Sequence, residues 1–554
     1  MPSSYYQVIP HIMGKVQAEA PRSILDVGAG FGKYGVLCRE LLELPHARYH
    51  KAQWQIRLDG VEVFPGYQNP IHDYVYDRVY YGDIRTLCPG LQQYDVVLLI
   101  DVLEHFPKDE GLELLHRLVQ HTGRAMIIST PVCPAPQGSY LGNQHEAHLS
   151  RWSIVDFAEF DFTYQTLMFG GEGAHVLNLY PGTSRPPRPA VDGIWQTEPP
   201  VVPGPLVIGC VLPHRGLTGG LKSLLEQVRH LRRRGHRVRA IRRGGSDEPV
   251  FPAWSDVRAD EEVMVPPGRP LAGYVEGCDV VLAGWYEQLL ELEASRVPAL
   301  YWEQGHGGLL GDIHPVEVDR VRSYLVHHYS LPVPLAAVSP FVATLLHSRY
   351  NRHARVVPAG VDTTRFCPGA GPSHEPTVLL VANPSLAFKG CEVALKALQR
   401  VWDAGHRFRV TWVCHTRLQV VGARYPLEFV VNPPQGELPG WYQNSHLLLF
   451  TSWYEGFGLP PLEAMAAGVP VVTTRCGGVL AYVEPGVNAL LAEPGDVVGL
   501  SRAVAHLLEN PGTREALAAR GRQAALRFAW ESVVQQMENA LVTVATATGT
   551  EKGA

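Results

Sequence analysis

Two acids, Glu455 and Glu463, stand eight positions apart around Gly456-Phe457-Gly458-Leu459-Pro460-Pro461-Leu462. A glycine-rich loop that opens a helix offers unpaired amides and a positive dipole end, which suit phosphate and sugar hydroxyls. Pro460 and Pro461 fit a helix start, where the first amides need no partner. Near the other end, Asp26-Val27-Gly28-Ala29-Gly30-Phe31-Gly32 follows a short apolar run and leads into a helix over Lys33–Leu42. Glycines at 28, 30 and 32 let a ligand approach the backbone without meeting a Cβ. Such a loop suits a cofactor at the carboxyl edge of a parallel sheet. A dinucleotide fingerprint would need a further glycine where Lys33 stands. A third stretch, Asn143–Trp152, holds His145, Glu146 and His148. It reads as the source of a general base, as a plain loop, or as a metal set that lacks a fourth ligand.

The elements that must position these residues are short β-branched or leucine-rich runs alternating with amphipathic stretches. In the first block the runs are Ser23–Val27, Arg57–Val61, Asp95–Ile100, Ala125–Ser129 and Ala174–Tyr180. The second block repeats the pattern twice. Its first half holds Leu206–Leu212, Val238–Ile241, Val280–Ala283, Ala299–Trp302 and Ala336–Val338. Its second half holds Val378–Ala382, Phe408–Val413, Glu428–Val431, Leu447–Phe450, Val469–Thr473 and Ala489–Leu491. Runs without a polar face suit strands covered by helices on both sides. The expected class is α/β, with three Rossmann-like domains. Pro181 to Pro205 carries eight prolines in 25 residues and reads as a semi-extended linker. The domains are therefore 1–180, a linker over 181–204, 205–372 and 373–542, with a disordered tail over 543–554.

Residues Ser23 to Ser129 resemble the class I S-adenosylmethionine-dependent methyltransferases. The glycine loop is joined there by Asp59-Gly60-Val61-Glu62, Gly82-Asp83 and the run Asp95 to His105. The resemblance implies that Asp26, Gly28, Gly30, Gly32, Glu62, Asp83 and Asp101 bind S-adenosylmethionine. It assigns Glu62 to the ribose hydroxyls and Asp83 to the adenine. Methyl transfer to a hydroxyl needs a base, for which His148 comes first and His145 second.

From Pro205 to about Glu538 the chain resembles family 4 of the retaining glycosyltransferases of GT-B architecture, most densely from Leu438 to Glu493. The resemblance implies that Glu455 holds hydroxyls of the transferred sugar and Glu463 the nucleotide ribose. Lys389, before Gly390, would neutralise the leaving diphosphate. The family's usual arginine six residues earlier is replaced by Asn383, for which Arg417 and Arg475 are candidate substitutes. Gly456, Phe457 and Gly458 join the donor loop. Leu217-Thr218-Gly219-Gly220 resembles the loop near the donor phosphates, and His306 either contacts the sugar or lines the cleft. In retaining transfer of this kind the departing phosphate takes the acceptor's proton, so no glycosidase-like carboxylate pair is required.

Bulk properties set the limits. A chain of 554 residues is too long for one core. No apolar run reaches membrane-spanning length and no signal peptide is evident, so the expected location is the cytoplasm. Net charge −6 offers no general attraction to nucleic acid. Nine cysteines without a Cys-x-x-Cys pair read as free thiols. Eight arginines between Arg229 and Arg243 read as a solvated edge or as a patch touching an anionic membrane from its inner face. No Asp-x-Asp motif occurs, and no metal is expected. The function expected is a bifunctional enzyme. One half transfers a sugar from a nucleotide-diphosphate donor to a glycan or glycolipid, and the other methylates a sugar oxygen. The rivals are that only one half is catalytic, the other binding ligand or scaffolding, and that the products are natural products.

Overall fold

The computed structural model describes residues 5–133, 137–140, 142–169, 172–182, 185–196, 204–245, 247–372 and 375–547. The chain divides into two compact units, Met1–Arg185 with Gly311–Val318, and Pro186–Leu310 with Asp319–Ala554.

The first unit is built on β1 (Ser23–Val27), β2 (Arg57–Glu62), β3 (Arg78–Tyr81), β4 (Tyr94–Ile100), β5 (Thr122–Pro131), β6 (Asp161–Phe169) and β7 (Glu172–Tyr180). Their order across the sheet is β3-β2-β1-β4-β5-β7-β6. All pairs are parallel except those of β7 with β5 and with β6. This differs from the dinucleotide-binding order 3-2-1-4-5-6 by a reversed strand inserted before the edge. In the short excursion Gly311–Val318, the Gly311 carbonyl accepts from the Tyr164 amide of β6 at 3.2 Å.

The second unit holds two parallel sheets. One contains β8 (Val207–Leu212), β9 (Arg237–Arg243), β10 (Glu261–Val265), β11 (Val280–Ala283), β12 (Ala299–Glu303), β13 (Leu335–Ala337) and β14 (Ala354–Val356), ordered β10-β9-β8-β11-β12-β13-β14. The other contains β15 (Thr377–Val381), β16 (Arg409–Cys414), β17 (Leu427–Val431), β18 (Leu447–Phe450), β19 (Val471–Thr474) and β20 (Leu490–Ala492), ordered β17-β16-β15-β18-β19-β20. In all three sheets the strand order reverses beside the first strand, between β1 and β4, β8 and β11, and β15 and β18. At such reversals the loops at the carboxyl ends part and leave a crevice for a ligand.

Four strands have no counterpart among the apolar runs of the sequence: β3, β6, β10 and β14. Each lies at a sheet edge. An edge strand is solvated on one side and tolerates polar residues, so its sequence lacks the continuous apolar signal.

Three expectations need correction. The proline-rich stretch does not run through as a linker, because Ala190–Gln196 forms a helical turn that packs into the second unit. Asp192 is buried there and accepts from Arg352 Nη2 at 2.8 Å and from the His353 amide at 2.7 Å. The side chains of Asp192 and Arg352 are both fully buried. The tail is ordered further than its composition suggested. The helix Trp530–Ala547 continues through Thr543 and Val544, both buried, because its apolar face packs inward. Residues 548–554 of that expected tail, and 197–203 of the linker, lie outside the described residues. Finally, most of the arginines of Arg229–Arg243 are paired with acids rather than free on a solvated edge. Arg229 meets Asp256, Arg232 Asp260, Arg234 Glu538, Arg239 Glu261, Arg242 Glu248 and Arg243 Glu291, at 2.5 to 2.9 Å. Arg237 comes within 4.0 Å of Glu261. Paired charges of this kind weaken the field on which attraction to an anionic membrane would rest. Among the described residues no helix is long and apolar enough to cross a membrane.

The helix Trp530–Ala547 returns to the β8–β14 half of the unit. His236 lies 2.7 Å from Glu538, and Trp530 stacks on His230 with ring centroids 5.7 Å apart. Gly360 packs so closely on Trp530 that a Cβ would lie 2.5 Å from the indole. The Val361 amide donates to the Phe528 carbonyl at 2.9 Å.

Removing one partner of a buried ion pair leaves the other charge uncompensated, at a cost of about 3–5 kcal/mol. Asp192→Ala should therefore lower the urea midpoint of the second unit's unfolding by that equivalent. An unchanged midpoint would mean that the turn Ala190–Gln196 is not part of the folded unit.

Candidate functional site

In the second unit a cavity of about 570 Å³ is lined by loops from both sheets. β18 leads into the loop that carries Glu455, and the helix Leu459–Ala466 carries Glu463. The Glu455 backbone is pinned on both sides. Its amide donates to the Cys476 carbonyl at 2.7 Å, and its carbonyl accepts from the Gly478 amide at 3.0 Å. The Glu455 carboxylate accepts from Lys389 Nζ at 2.6 Å and from Ser452 Oγ at 2.7 Å. Lys389 closes the turn Ala387–Lys389, and Gly390 after it has φ +62°. A Cβ on Gly390 would lie 2.1 Å from the Thr451 carbonyl oxygen, so only glycine lets the lysine loop seat against the loop after β18. The Trp453 amide donates to the Phe388 carbonyl at 2.7 Å and completes the clamp.

Glu463 is buried and accepts from Tyr442 at 2.8 Å and from Lys222 Nζ at 2.5 Å. Lys222 stands on the first turn of the helix Gly219–Arg233, two residues after Gly219-Gly220. Thr218 caps that helix by accepting from the Leu221 amide at 3.2 Å. Gly219, Gly220 and Lys222 all line the cavity. Lys222 did not stand out in the sequence, since it belongs to no motif and its partner is 241 residues away. Asn383 also lines the cavity and brings no charge, its Oδ1 accepting from the Ser385 amide at 3.1 Å. Neither Arg417 nor Arg475 lines it. Arg417 lies over the Phe429 ring, and Arg475 pairs with Glu493 at 2.9 Å. Among the described residues, Lys222 and Lys389 are thus the lysines of the cavity wall, and no arginine lines it.

His306 reaches the cavity from the loop after β12. Its Nε2 lies 3.0 Å from the Tyr329 hydroxyl, and its ring stacks on Tyr286 at 4.6 Å. Burial lowers its pKa and keeps the imidazole neutral. Beside it, the backbones of the two sheets' loops touch. A Cβ on Gly456 would lie 2.0 Å from the Gln304 carbonyl oxygen, and Ser339 Oγ donates to the Gly456 carbonyl at 2.7 Å. Phe457 and Gly458 continue the same wall, with Gly458 at φ +85°.

In the first unit the glycine loop follows β1 and precedes the helix Lys33–Leu42. Gly28, Gly30 and Gly32 have φ of +79°, +55° and +87°. A Cβ on Gly28 would meet Val102 at 2.7 Å, so the loop rests on the residues that follow β4. Asp26 is buried and accepts from the Tyr76 hydroxyl at 2.5 Å, and burial still raises its pKa to about 6. Glu62, at the end of β2, accepts from the amides of Gly30 and Phe64, each at 2.8 Å. Burial pushes its pKa up to about 7, because the two amides offset desolvation only in part. Asp83 caps a short helix, and Arg85 grips its carboxylate and holds it below the usual range. Asp101 takes φ +51° and accepts from Ser129 Oγ at 2.9 Å.

The stretch His145-Glu146-Ala147-His148 does not gather its own side chains. The backbone leaves a short helical turn at Glu146 for an extended conformation at Ala147, which sends them apart. Glu146 accepts from the Tyr67 hydroxyl at 2.9 Å, and His145 is exposed. His148 instead meets His105 and Glu104, with one potential ligand atom from each residue within 4.8 Å of the others.

Residues 375–510 match the family described as glycosyl transferases group 1. An MMP alpha-(1->4)-mannosyltransferase of Mycolicibacterium hassiacum is 32% identical over 222 residues, covering 37% of this chain and 52% of the relative. A D-inositol 3-phosphate glycosyltransferase of Xylanimonas cellulosilytica is 27% identical over 386 residues, covering 59% of this chain and 92% of the relative. The chain thus spans about half the length of the first relative and nearly all of the second. Among solved structures, Anabaena HepE in complex with UDP-glucose aligns with a TM-score of 0.51 at 18% identity, over 61% of this chain and 99% of that one. Sucrose-phosphate synthase from Thermosynechococcus elongatus aligns with a TM-score of 0.50 at 18% identity, over 60% and 98%. Residues 375–510 are thus similar to the glycosyl transferases group 1 family, and the α/β fold of the second unit is of GT-B type.

Proposed function

We propose that the second unit transfers a sugar, with retention, from a nucleotide-diphosphate donor to a hydroxyl of a glycan or glycolipid. The observation that carries this reading is the pair of lysine–glutamate contacts, Lys389–Glu455 and Lys222–Glu463, facing one cavity. A diphosphate entering the cavity draws both ammonium groups away from their carboxylates. Glu455 then accepts from hydroxyls of the transferred sugar, and Glu463 accepts from the ribose. The bond between the anomeric carbon and the diphosphate breaks, and the acceptor oxygen bonds to the same face of the sugar. The departing phosphate takes the acceptor's proton. Lys389 stabilises the charge that grows on the leaving group. Lys222 supplies the second cation that Asn383 cannot. Gly219, Gly220, Gly456, Phe457 and Gly458 bring backbone and ring surface against the donor, and neutral His306 lines the sugar end. The relatives' names, a mannosyltransferase and an inositol-phosphate glycosyltransferase, favour a hexose donor and a sugar or polyol hydroxyl as acceptor.

For the first unit we propose methyl transfer from S-adenosylmethionine to a sugar oxygen, making the chain bifunctional in glycan assembly. Support comes from the left-handed glycine loop on β1 at the reversal point, with buried Glu62 beside it. Asp26, Gly28, Gly30 and Gly32 shape the loop around the cofactor, and Asp101 closes its β4 side. Glu62 takes the ribose hydroxyls, and Asp83, steadied by Arg85, borders the adenine. The acceptor oxygen sits at the end of the crevice that holds His148, with exposed His145 at its rim.

Calorimetry with UDP, GDP and dTDP tests the first reading. One diphosphate should bind, Lys222→Ala should weaken it about tenfold, and Lys389→Ala should lower turnover roughly 10²–10³-fold. Binding unaltered by Lys222→Ala would remove that residue from the donor site.

S-adenosylhomocysteine tests the second reading. Ribose hydroxyls donate to Glu62 best when it is ionised, so affinity should rise between pH 6 and pH 8 as the group titrates near 7. Glu62→Gln should flatten that rise. A wild-type profile that is already flat, or no binding at all, would sink the assignment.

A further inference from the structure

We propose that Glu104, His105 and His148 form a binding site for one divalent first-row transition-metal ion. One potential ligand atom from each lies within 4.8 Å of the others, a spread that small side-chain rotations close onto a shared ion. The contacts of these side chains favour an ion over a self-contained network. Glu104 is 1% exposed, and its Oε2 has no hydrogen-bond partner. A buried carboxylate oxygen without a donor lacks the compensation that burial demands, and a cation supplies it. His105 Nδ1 lies 3.1 Å from the Ala147 carbonyl, so Nδ1 carries the hydrogen and Nε2 keeps its lone pair for a metal. A backbone carbonyl behind a ligating imidazole is the usual outer support of such sites.

The positions are held by the fold. Glu104 and His105 lie in the turn Leu103–His105 just after β4. The amides of Leu149 and Ser150 donate to the Glu104 carbonyl at 2.7 and 3.1 Å, which ties the His148 segment to that turn. Two imidazoles and one carboxylate favour manganese, iron, cobalt or zinc over calcium and magnesium, and leave positions open for an exogenous oxygen. The site also adjoins the glycine loop, because Val102 of the same turn region packs against Gly28. On the methyltransferase reading, an ion held here would lower the pKa of the hydroxyl to be methylated, whose proton would pass to water as the oxygen takes the methyl group and S-adenosylhomocysteine leaves. That use rests on the methyltransferase reading. The binding of the ion does not.

The test uses the full chain, untagged and stripped with a chelator, titrated with Co²⁺ and Zn²⁺. Calorimetry should show one site, and Co²⁺ should give visible absorption bands that Zn²⁺ displaces. Glu104→Gln and His148→Ala should each weaken Co²⁺ binding at least tenfold, and His145→Ala should not. His148 is half-buried, so that variant should keep the parent's melting temperature even if Glu104→Gln does not. Absence of a stoichiometric site, or binding indifferent to His148→Ala, would overturn the proposal. Binding lost in His145→Ala but kept in Glu104→Gln would overturn it too. S-adenosylhomocysteine, measured in parallel, separates the two ideas. Metal without cofactor binding keeps the site and removes the methyltransferase reading, whereas cofactor without metal binding does the reverse.

Discussion

Backbone meets backbone where the loop after β12 crosses the loop after β18, and the cavity of the second unit depends on that contact. Gly456 and the Gln304 carbonyl approach so closely that no side chain fits between them, and Gly305, at φ +88°, gives way from the other side. The close approach aligns two walls that originate in different sheets. One brings Lys222 and His306, the other Lys389, Glu455 and Glu463. A further carbon at either glycine would have to push the walls apart, because packed backbone cannot yield as a flexible side chain does.

The carboxylates at the candidate sites of the two units are handled in opposite ways. In the second, Glu455 and Glu463 each face an ammonium group, so charge is balanced before any ligand arrives. In the first, Glu62 faces only backbone amides, and Glu104 keeps an oxygen without any donor. The first arrangement suits a polyanion that exchanges partners with the walls. The second suits ligands that bring hydrogen-bond donors or positive charge with them.

The sequence was most legible where one face of an element is wholly buried or where a loop needs glycine. The inner strands announced themselves because helices cover both their faces, while β3, β6, β10 and β14 stayed hidden at the edges. The loops at Gly28–Gly32 and Gly456–Gly458 stood out because their backbone demands are local. Lys222 could not be found that way, since its meaning comes from a partner on another sheet. Neither could the meeting of His148 with Glu104 and His105. Short-range spacing pointed to His145 and Glu146, but an extended residue at Ala147 turns them away. Composition misled at Pro181–Pro205 and at the arginine-rich edge for a related reason. Arg352, which answers Asp192, and most of the acids that answer those arginines lie far along the chain from their partners.

The helix Trp530–Ala547 leaves the β15–β20 half of its unit and packs on the other half. The chain therefore passes between the halves twice, side by side, where the Val361 amide bonds to the Phe528 carbonyl. Two adjacent strands make a strap rather than a swivel. Two crossings tie the halves together more firmly than a single connection would. The C-terminal residues thereby become structural members of the half that precedes them in sequence.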